Sequence, residues 1–465
     1  MDIIKKLKAL GYETIPSDFY KKVSEWASWC EGDVKAFHRY KVYNGTSHIS
    51  CKLYSLQMAK KVAEDWANLL MSEKVAITAE GKKEQEFLDE VLYYNNFTVK
   101  ANEMQELKAS LGTVAYVPRV VGQSAEGAEA IDIDYGTIEN IFPLRWRNGI
   151  VDECAFASSQ YRGDKEYLYL TVHKRAEDKT YIIENRAYQV HNKQLREVTL
   201  EEVFGTAVPP VVKTGSKERQ FVIDRLNIAN NYDYTLPVGI PVFANAIDVL
   251  KGVDIAYDSY VNEFVLGKKR IMVQPAASKT LDGDPIFDPK DLAYYVLPED
   301  LKGESVIKEI DMKLRTAEHN TGIQDQLNML SSKCGFGENH YRFENGSVAT
   351  ATQVISENST LFRNIKKHEI ILEKVLEELC RILLRLGNAA MHMGLNEEVE
   401  ISIDFDDSII EDKAAEFSRD MQLLSAGILN DWEMRAKWLN EDEATAKASL
   451  PNMEELTTEE EDEVE

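Results

Sequence analysis

Between Gly346 and Met393 the apolar residues are spaced so that the chain has little choice but to form one long helix. Ile355, Phe362, Ile365, Leu372, Leu376, Leu379, Leu383, Leu386 and Ala390 follow one another by threes, fours and sevens, the steps that return a side chain to the same helical face. A second line, Leu361, Ile371, Val375 and Ile382, widens the stripe, so the expected helix is covered on two flanks. No proline or glycine interrupts the run before Gly387, and at a rise of ~1.5 Å per residue it spans roughly 65 Å. A rod of this length suits packing between subunits, with Ile355, Phe362, Ile365, Leu372, Leu376 and Leu379 as the expected contacts. The competing expectation is a core helix wrapped by its own subunit.

Charge narrows the partners. A formal net charge of −25 argues against a tight nucleic-acid grip, because such binders gain affinity when Lys and Arg displace counterions from phosphates. Cys30, Cys51, Cys154, Cys334 and Cys380 are odd in number and lack paired metal spacing, which reads as reduced thiols in a cytoplasmic setting. The polar start, Met1-Asp-Ile-Ile-Lys-Lys-Leu-Lys, is no secretory signal, and no apolar run reaches membrane-spanning length, so no membrane partner is expected.

Taken in order, the chain predicts an α+β protein. Helices are expected over residues 17–30, with Phe19, Val23, Trp26 and Trp29 on one side, over Leu56–Met71 with Ser55 as its cap, over Lys82–Asn95 and over Val99–Leu111. From Thr113 the period changes to two. Val114–Val117, Ile131–Asp134, 155–160, 167–172, 180–183 and 188–190 read as an antiparallel meander. Leu236-Pro-Val-Gly-Ile-Pro-Val-Phe243 is a stiff hinge, since its prolines and glycine stop a helix. Beyond it, Asn245 is the expected cap of a helix ending near Gly267-Lys-Lys-Arg270, whose cations suit a helix C-terminus. Short strands at 271–274, 294–297 and 306–307 surround an acidic loop, Leu281–Lys290, and a helix over about Leu314–Leu330 comes next. Past the rod, Glu398–Phe405 alternates as an edge strand, and Asp412–Leu424 and Asp431–Leu439 read as amphipathic helices. The stretch 452–465 has eight acids and no base, the composition of a solvated tail.

The chemistry of an enzyme is hard to find. There is no phosphate loop of the Gly-x-x-x-x-Gly-Lys-Ser/Thr type, since Lys213-Thr-Gly-Ser-Lys217 has the right residues in the wrong order. The histidines show neither His-x-x-x-His nor His-Glu-x-x-His, and Gly-x-Ser-x-Gly is absent. Asp132/Asp134 and Asp404/Asp406/Asp407 share strand faces and are the weak candidates for a divalent cation. Neither a catalytic residue, a resident metal nor a cofactor is expected.

Two stretches carry a resemblance. Ser331-Ser-Lys-Cys-Gly-Phe-Gly-Glu-Asn-His-Tyr-Arg-Phe-Glu-Asn-Gly-Ser347 has the glycines and asparagines of a mobile loop, and it runs into Val348-Ala-Thr-Ala-Thr-Gln-Val354 at the head of the rod. Near the start stands Met58-Ala-Lys-Lys-Val-Ala-Glu-Asp-Trp-Ala-Asn-Leu-Leu-Met-Ser-Glu73. Together they resemble the siphophage-type portal proteins of tailed bacteriophages, over most of the chain. The resemblance implies a β-rich wing with a helical N-terminal part (1–243), stem helices (244–333) with a clip inserted at about 271–310, a tunnel loop (334–347), a spine helix (348–398), a crown-like region (399–450) and an acidic tail (451–465). It further implies a twelvefold ring at one capsid vertex, conducting double-stranded DNA during packaging and ejection. The partners it implies are the terminase large subunit, a head-tail adaptor, and the major capsid and scaffold proteins, in a virion assembled in host cytoplasm. Lys333, His340 and Arg342 in the loop, and Lys268, Lys269 and Arg270 near the clip, would then touch DNA phosphates without reading bases. Two other classes remain open: an oligomeric scaffold or tail-type subunit that conducts no DNA, and a metal-dependent hydrolase built on the acid pairs.

Overall fold

A computed structural model describes every residue except 1, 44, 72–74, 123–127, 193, 205–207, 269, 276–293, 297–306, 311, 338–339, 343–350, 406–412, 440, 442 and 451–465. The chain divides into two compact units, Met1–Phe405 and Asp406–Glu465. That boundary assigns the strand Ile401–Asp404 to the larger unit, where it pairs with Ala76–Ala79, and not to a C-terminal region beginning at 399.

The rod is a helix of 41 residues, Ala351–Met391. Its seam, however, is spent inside the subunit. Ile365, Leu372, Leu376 and Leu379 have no exposed surface, and Cys380, Ile382, Leu383 and Leu384 beside them have none either. They face the strands Thr113–Val121, Val222–Arg225 and Ile401–Asp404 and the helices Met58–Met71 and Lys82–Tyr94. The apolar line expected to meet a neighbouring subunit therefore meets the chain's own sheet and helices. Periodicity reports that a face is covered; it carries no information on which chain covers it. Phe362 keeps partial exposure beneath the Lys366 ammonium, 5.5 Å from its ring centre, and Ile370 is exposed. The side chain of Ile355 lies outside the described residues.

Two larger sheets form in this unit. Ile141–Arg147, Ile150–Arg162, Lys165–Arg175, Tyr181–His191 and Gln194–Val198 form the expected meander, each strand antiparallel to the next, and Val211–Lys213 returns to pair with Tyr181–His191. Asn148 and Gly149, both at positive φ (50° and 76°), make the first of its turns, the geometry a two-residue hairpin needs. Thr113–Val121 and Ala130–Thr137, expected in the same meander, instead form a separate three-stranded sheet with Val222–Arg225.

The Pro/Gly segment at 236–243 is stiff, as its composition predicts, and it is also clamped. Leu236, Val238, Ile240, Val242 and Phe243 are buried, Val242 N–H donates to the Ala109 carbonyl at 3.0 Å, and Gly239 N–H donates to Thr113 Oγ1 at 2.8 Å. Glycine is required on both sides of this contact. A Cβ on Gly239 would lie 2.4 Å from the Gly112 carbonyl oxygen, and one on Gly112, already at φ +89°, would lie 2.7 Å from the Gly239 carbonyl oxygen.

Local capping departs from expectation in an informative way. Ser55 accepts Gln57 N–H at 3.1 Å, but the helix begins only at Met58, and the Ser55 hydroxyl donates to Asp254 at 3.0 Å. Asn245 does not cap the helix Ile247–Leu266; its side-chain oxygen accepts from Asn231 at 2.9 Å. In both cases a partner distant in sequence outcompetes the helix end.

The smaller unit holds the helices Lys413–Ser425, Asp431–Leu439 and Glu443–Ala448. Asp420 joins the first two, accepting from Lys437 at 2.6 Å, while Phe417 and Trp438 meet edge to face at 5.0 Å. The expected acidic tail lies outside the described residues.

Candidate functional site

The helix Thr316–Lys333 delivers the glycine-rich loop. Its last turn closes with Gly335 N–H on the Ser332 carbonyl and Phe336 N–H on the Ser331 carbonyl, 3.3 and 3.0 Å. Gly335 and Gly337, at φ +87° and +92°, then turn the chain back, a conformation glycine adopts without strain. The described residues on either side of 338–339 are anchored. Phe336 is buried with its ring 5.2 Å from that of Trp66, and the His340 ring stacks on Phe336 at 4.3 Å. Trp66 Nε1–H donates to the Cys334 carbonyl at 2.9 Å, and Asn364 Nδ2–H to the Gly335 carbonyl at 2.8 Å. Tyr341 donates its hydroxyl proton to Asp65 at 3.0 Å, while Gln324 donates to the Tyr341 carbonyl at 2.6 Å.

Within the segment read as mobile over 331–347, the described residues Cys334–Phe336 and His340–Tyr341 are thus strapped to Met58–Met71 and to the long helix, while 338–339 lie outside the described residues. Glycines free a backbone locally, but Phe336 and Tyr341 supply enough burial and hydrogen bonding to override that freedom. Residues 343–347 of the expected tunnel loop lie outside the described residues.

The expected cations fare differently from one another. Lys333 and Arg342 are exposed, one on the last helical turn and the other at the far end of the strapped segment. His340 is exposed as a residue, but its imidazole is partly desolvated against Phe336. Burial pulls its imidazole below the ordinary range, outweighing the opposing pull of the Asp65 carboxylate 3.9 Å away, with Lys61 adding to the depression. Near the clip, Lys268 is exposed just past the helix end, Arg270 is half-buried with its guanidinium 6.0 Å from the Tyr295 ring centre, and Lys269 lies outside the described residues.

The stretch expected as the clip holds, among its described residues, a three-stranded sheet with Arg270–Val273 in the middle, parallel to Tyr294–Val296 and antiparallel to Ile307–Ile310. Its two supporting helices are fixed together at its base. Arg315 grips Glu263 through Nε and Nη2 at 3.0 and 2.8 Å, and these bonds hold the Glu263 carboxyl down at about 2. Sequence reasoning misses this pair. Fifty-two residues separate the partners, and neither sits in a local motif.

The acid pair Asp132/Asp134 is clamped by one guanidinium. Arg119 reaches Asp132 at 2.7 Å and Asp134 at 2.8 Å, occupying the oxygens and offsetting one of the two charges a cation would need. Among the described residues, no three His, Cys, Asp or Glu side chains gather in a way that would hold a metal ion, and no helix is long and apolar enough to cross a membrane. Asp406 and Asp407 lie outside the described residues.

Along the chain the helix Ile247–Leu266 is followed by the small sheet, the helix Thr316–Lys333, the glycine-rich turn and the long helix Ala351–Met391. No curated protein matches the chain. Among solved structures, a chain in the virion of a native gene transfer agent particle is similar over 91% of this chain and 94% of its own length, at 11% identity and a TM-score of 0.40. A chain in the neck of that particle, computed with C12 symmetry, is similar over 81% and 88%, at 10% identity and a TM-score of 0.39. The pattern of the family described as phage portal protein, SPP1 Gp6-like, matches residues 13–465, and the chain belongs to that family.

Proposed function

We propose that this portal protein forms a ring of twelve copies at one capsid vertex of a phage or phage-like virion, through which double-stranded DNA enters during packaging and leaves during ejection. In this reading the Arg270–Ile310 insertion is the clip that docks the terminase large subunit and later the head-tail adaptor. The meander belongs to the wing, against major capsid and scaffold proteins, and Ala351–Met391 is the spine. No covalent chemistry is assigned to the chain. Its action on DNA is electrostatic: a subunit of net charge −25 adheres poorly to a polyanion, while sparse cations repeated by symmetry touch phosphates in passing.

The observation that carries this reading is the family match over residues 13–465, with the inserted sheet and the anchored loop placed on either side of one helix, Thr316–Lys333. Lys333 and Arg342 are the cations best placed to meet DNA, being exposed where Phe336 and Tyr341 are not. Replacing both with alanine is expected to leave ring assembly and thermal stability unchanged and to lower the DNA packaged per particle severalfold. Packaging at the parental level would remove these two residues from the DNA path. Deleting the whole loop is the poorer test, because it also removes Phe336 from the core.

A further inference from the structure

The hairpin Arg39–Tyr43/His48–Lys52 stands apart from the sheets described above, with its strands paired only to each other. Val42 lies opposite Ile49 and Tyr40 opposite Cys51, so these four share one face. Arg39, Lys41, Tyr43, His48, Ser50 and Lys52 share the other. The apolar face is open: Tyr40, Val42 and Ile49 are 39%, 45% and 46% exposed. A two-stranded ribbon is marginal in water without cover on one face, and its own chain covers these side chains only in part.

Its root, by contrast, is rigid. Leu53 N–H donates to the His38 carbonyl at 2.8 Å, and the fully buried His38 ring accepts Val34 N–H at Nδ1, which leaves the proton on Nε2, 2.9 Å from Asp254. Asp254 also accepts Leu56 N–H at 2.8 Å, and Asp258 accepts Tyr54 N–H at 3.0 Å. Both ends of the hairpin are therefore tied to one helix, Ile247–Leu266. A ribbon held this firmly points in one direction, which suits a partner at a fixed position.

We propose that this hairpin is an arm that docks, apolar face first, on an adjacent copy of the chain, with the His38–Asp254 contact aiming it; this rests on the ring reading above. Charge favours a copy as the occupant. Residues 39–52 contain Arg39, Lys41 and Lys52 and no acid; Asp33 at the root pairs with Arg39 at 2.7 Å and lies 3.7 Å from Lys52, so the arm stays net basic while the chain as a whole carries −25, and each neighbour offers it an acidic body. A ring built from unlike patches needs such a protruding element on one side of the subunit and its acceptor on the other. DNA, the competing occupant, would engage the basic face and leave Val42 and Ile49 in water.

The test is the double variant Val42→Asp/Ile49→Asp in the full chain, with a photoreactive benzoylphenylalanine placed at position 42 in a separate sample. Because both side chains are already half exposed, the variant is expected to keep the parental circular dichroism and urea midpoint. The concentration at which half the chains assemble should rise about tenfold or more. Irradiation of assembled parent carrying the probe should give covalent dimers and longer ladders. Assembly at the parental concentration, with no cross-link between copies, overturns the arm while leaving the ring reading intact. Normal assembly combined with loss of salt-dependent binding to duplex DNA also overturns it, in favour of a DNA contact. A parent that stays monomeric at every concentration overturns both.

Discussion

Asp224→Ala is expected to destabilise the larger unit by about 3–5 kcal/mol, because it strands a buried ammonium. Lys108 and Asp224 are 0% exposed, and Nζ lies 3.1 Å from both carboxylate oxygens. Burial drags the lysine below its ordinary range even with the carboxylate beside it, so little surplus is available to tolerate the loss. Gln105 donates to the same carboxylate at 3.0 Å and to the Tyr116 hydroxyl at 3.2 Å, so the substitution also unpicks a hydrogen-bonded cluster. The cluster ties the helix Phe97–Leu111 to the strands Thr113–Val121 and Val222–Arg225, on which the long helix rests. Urea unfolding is the measurement, and the control is Lys108→Met with Asp224→Leu, which should recover most of the loss because neither charge is left alone. An unchanged midpoint for Asp224→Ala would mean the pair is open to water.

Trp66→Ala should cost a similar amount, about 3–5 kcal/mol, for a different reason. The indole is 1% exposed and sits among Phe336 at 5.2 Å, the His368 ring at 5.0 Å and the Cys334 carbonyl, to which it donates. Its removal opens a cavity and orphans the carbonyl at the point where the loop leaves its helix. Trp66→Phe separates the two contributions, keeping most of the packing and losing only the N–H, at about 1–2 kcal/mol. Trp66→Ala should also raise protease cleavage near Gly337, since the ring that Phe336 packs against is gone. Unaltered cleavage there would show that Asp65 and Gln324 hold the segment without it.

The rod, the inserted sheet and the hinge are legible in the sequence because they depend on local spacing or on proline and glycine. The strand at 401–404 is legible for the same reason, from its alternation. The identity of the surface covering the rod is not, because Leu372 and Leu376 keep the same spacing whether a neighbour or their own sheet buries them. The glycines of the loop mislead: Gly335 and Gly337 do turn the chain, but Phe336 and Tyr341 on either side of the His340 ring reach Trp66 and Asp65, far away in sequence. The hairpin at 39–52 escapes a reading by helical period, although Asn44-Gly45 between Tyr/Val and Ile residues is a hairpin signal. Arg119, which closes the acid pair, is likewise invisible until the strands are in register.

Imaging the purified full-length protein by electron microscopy tests the central claim most directly, with no partner or activity required. The account predicts closed rings of one size with an axial opening wide enough for a DNA duplex. A population of single subunits at all concentrations and salt conditions, or assemblies without an axial passage, would contradict it.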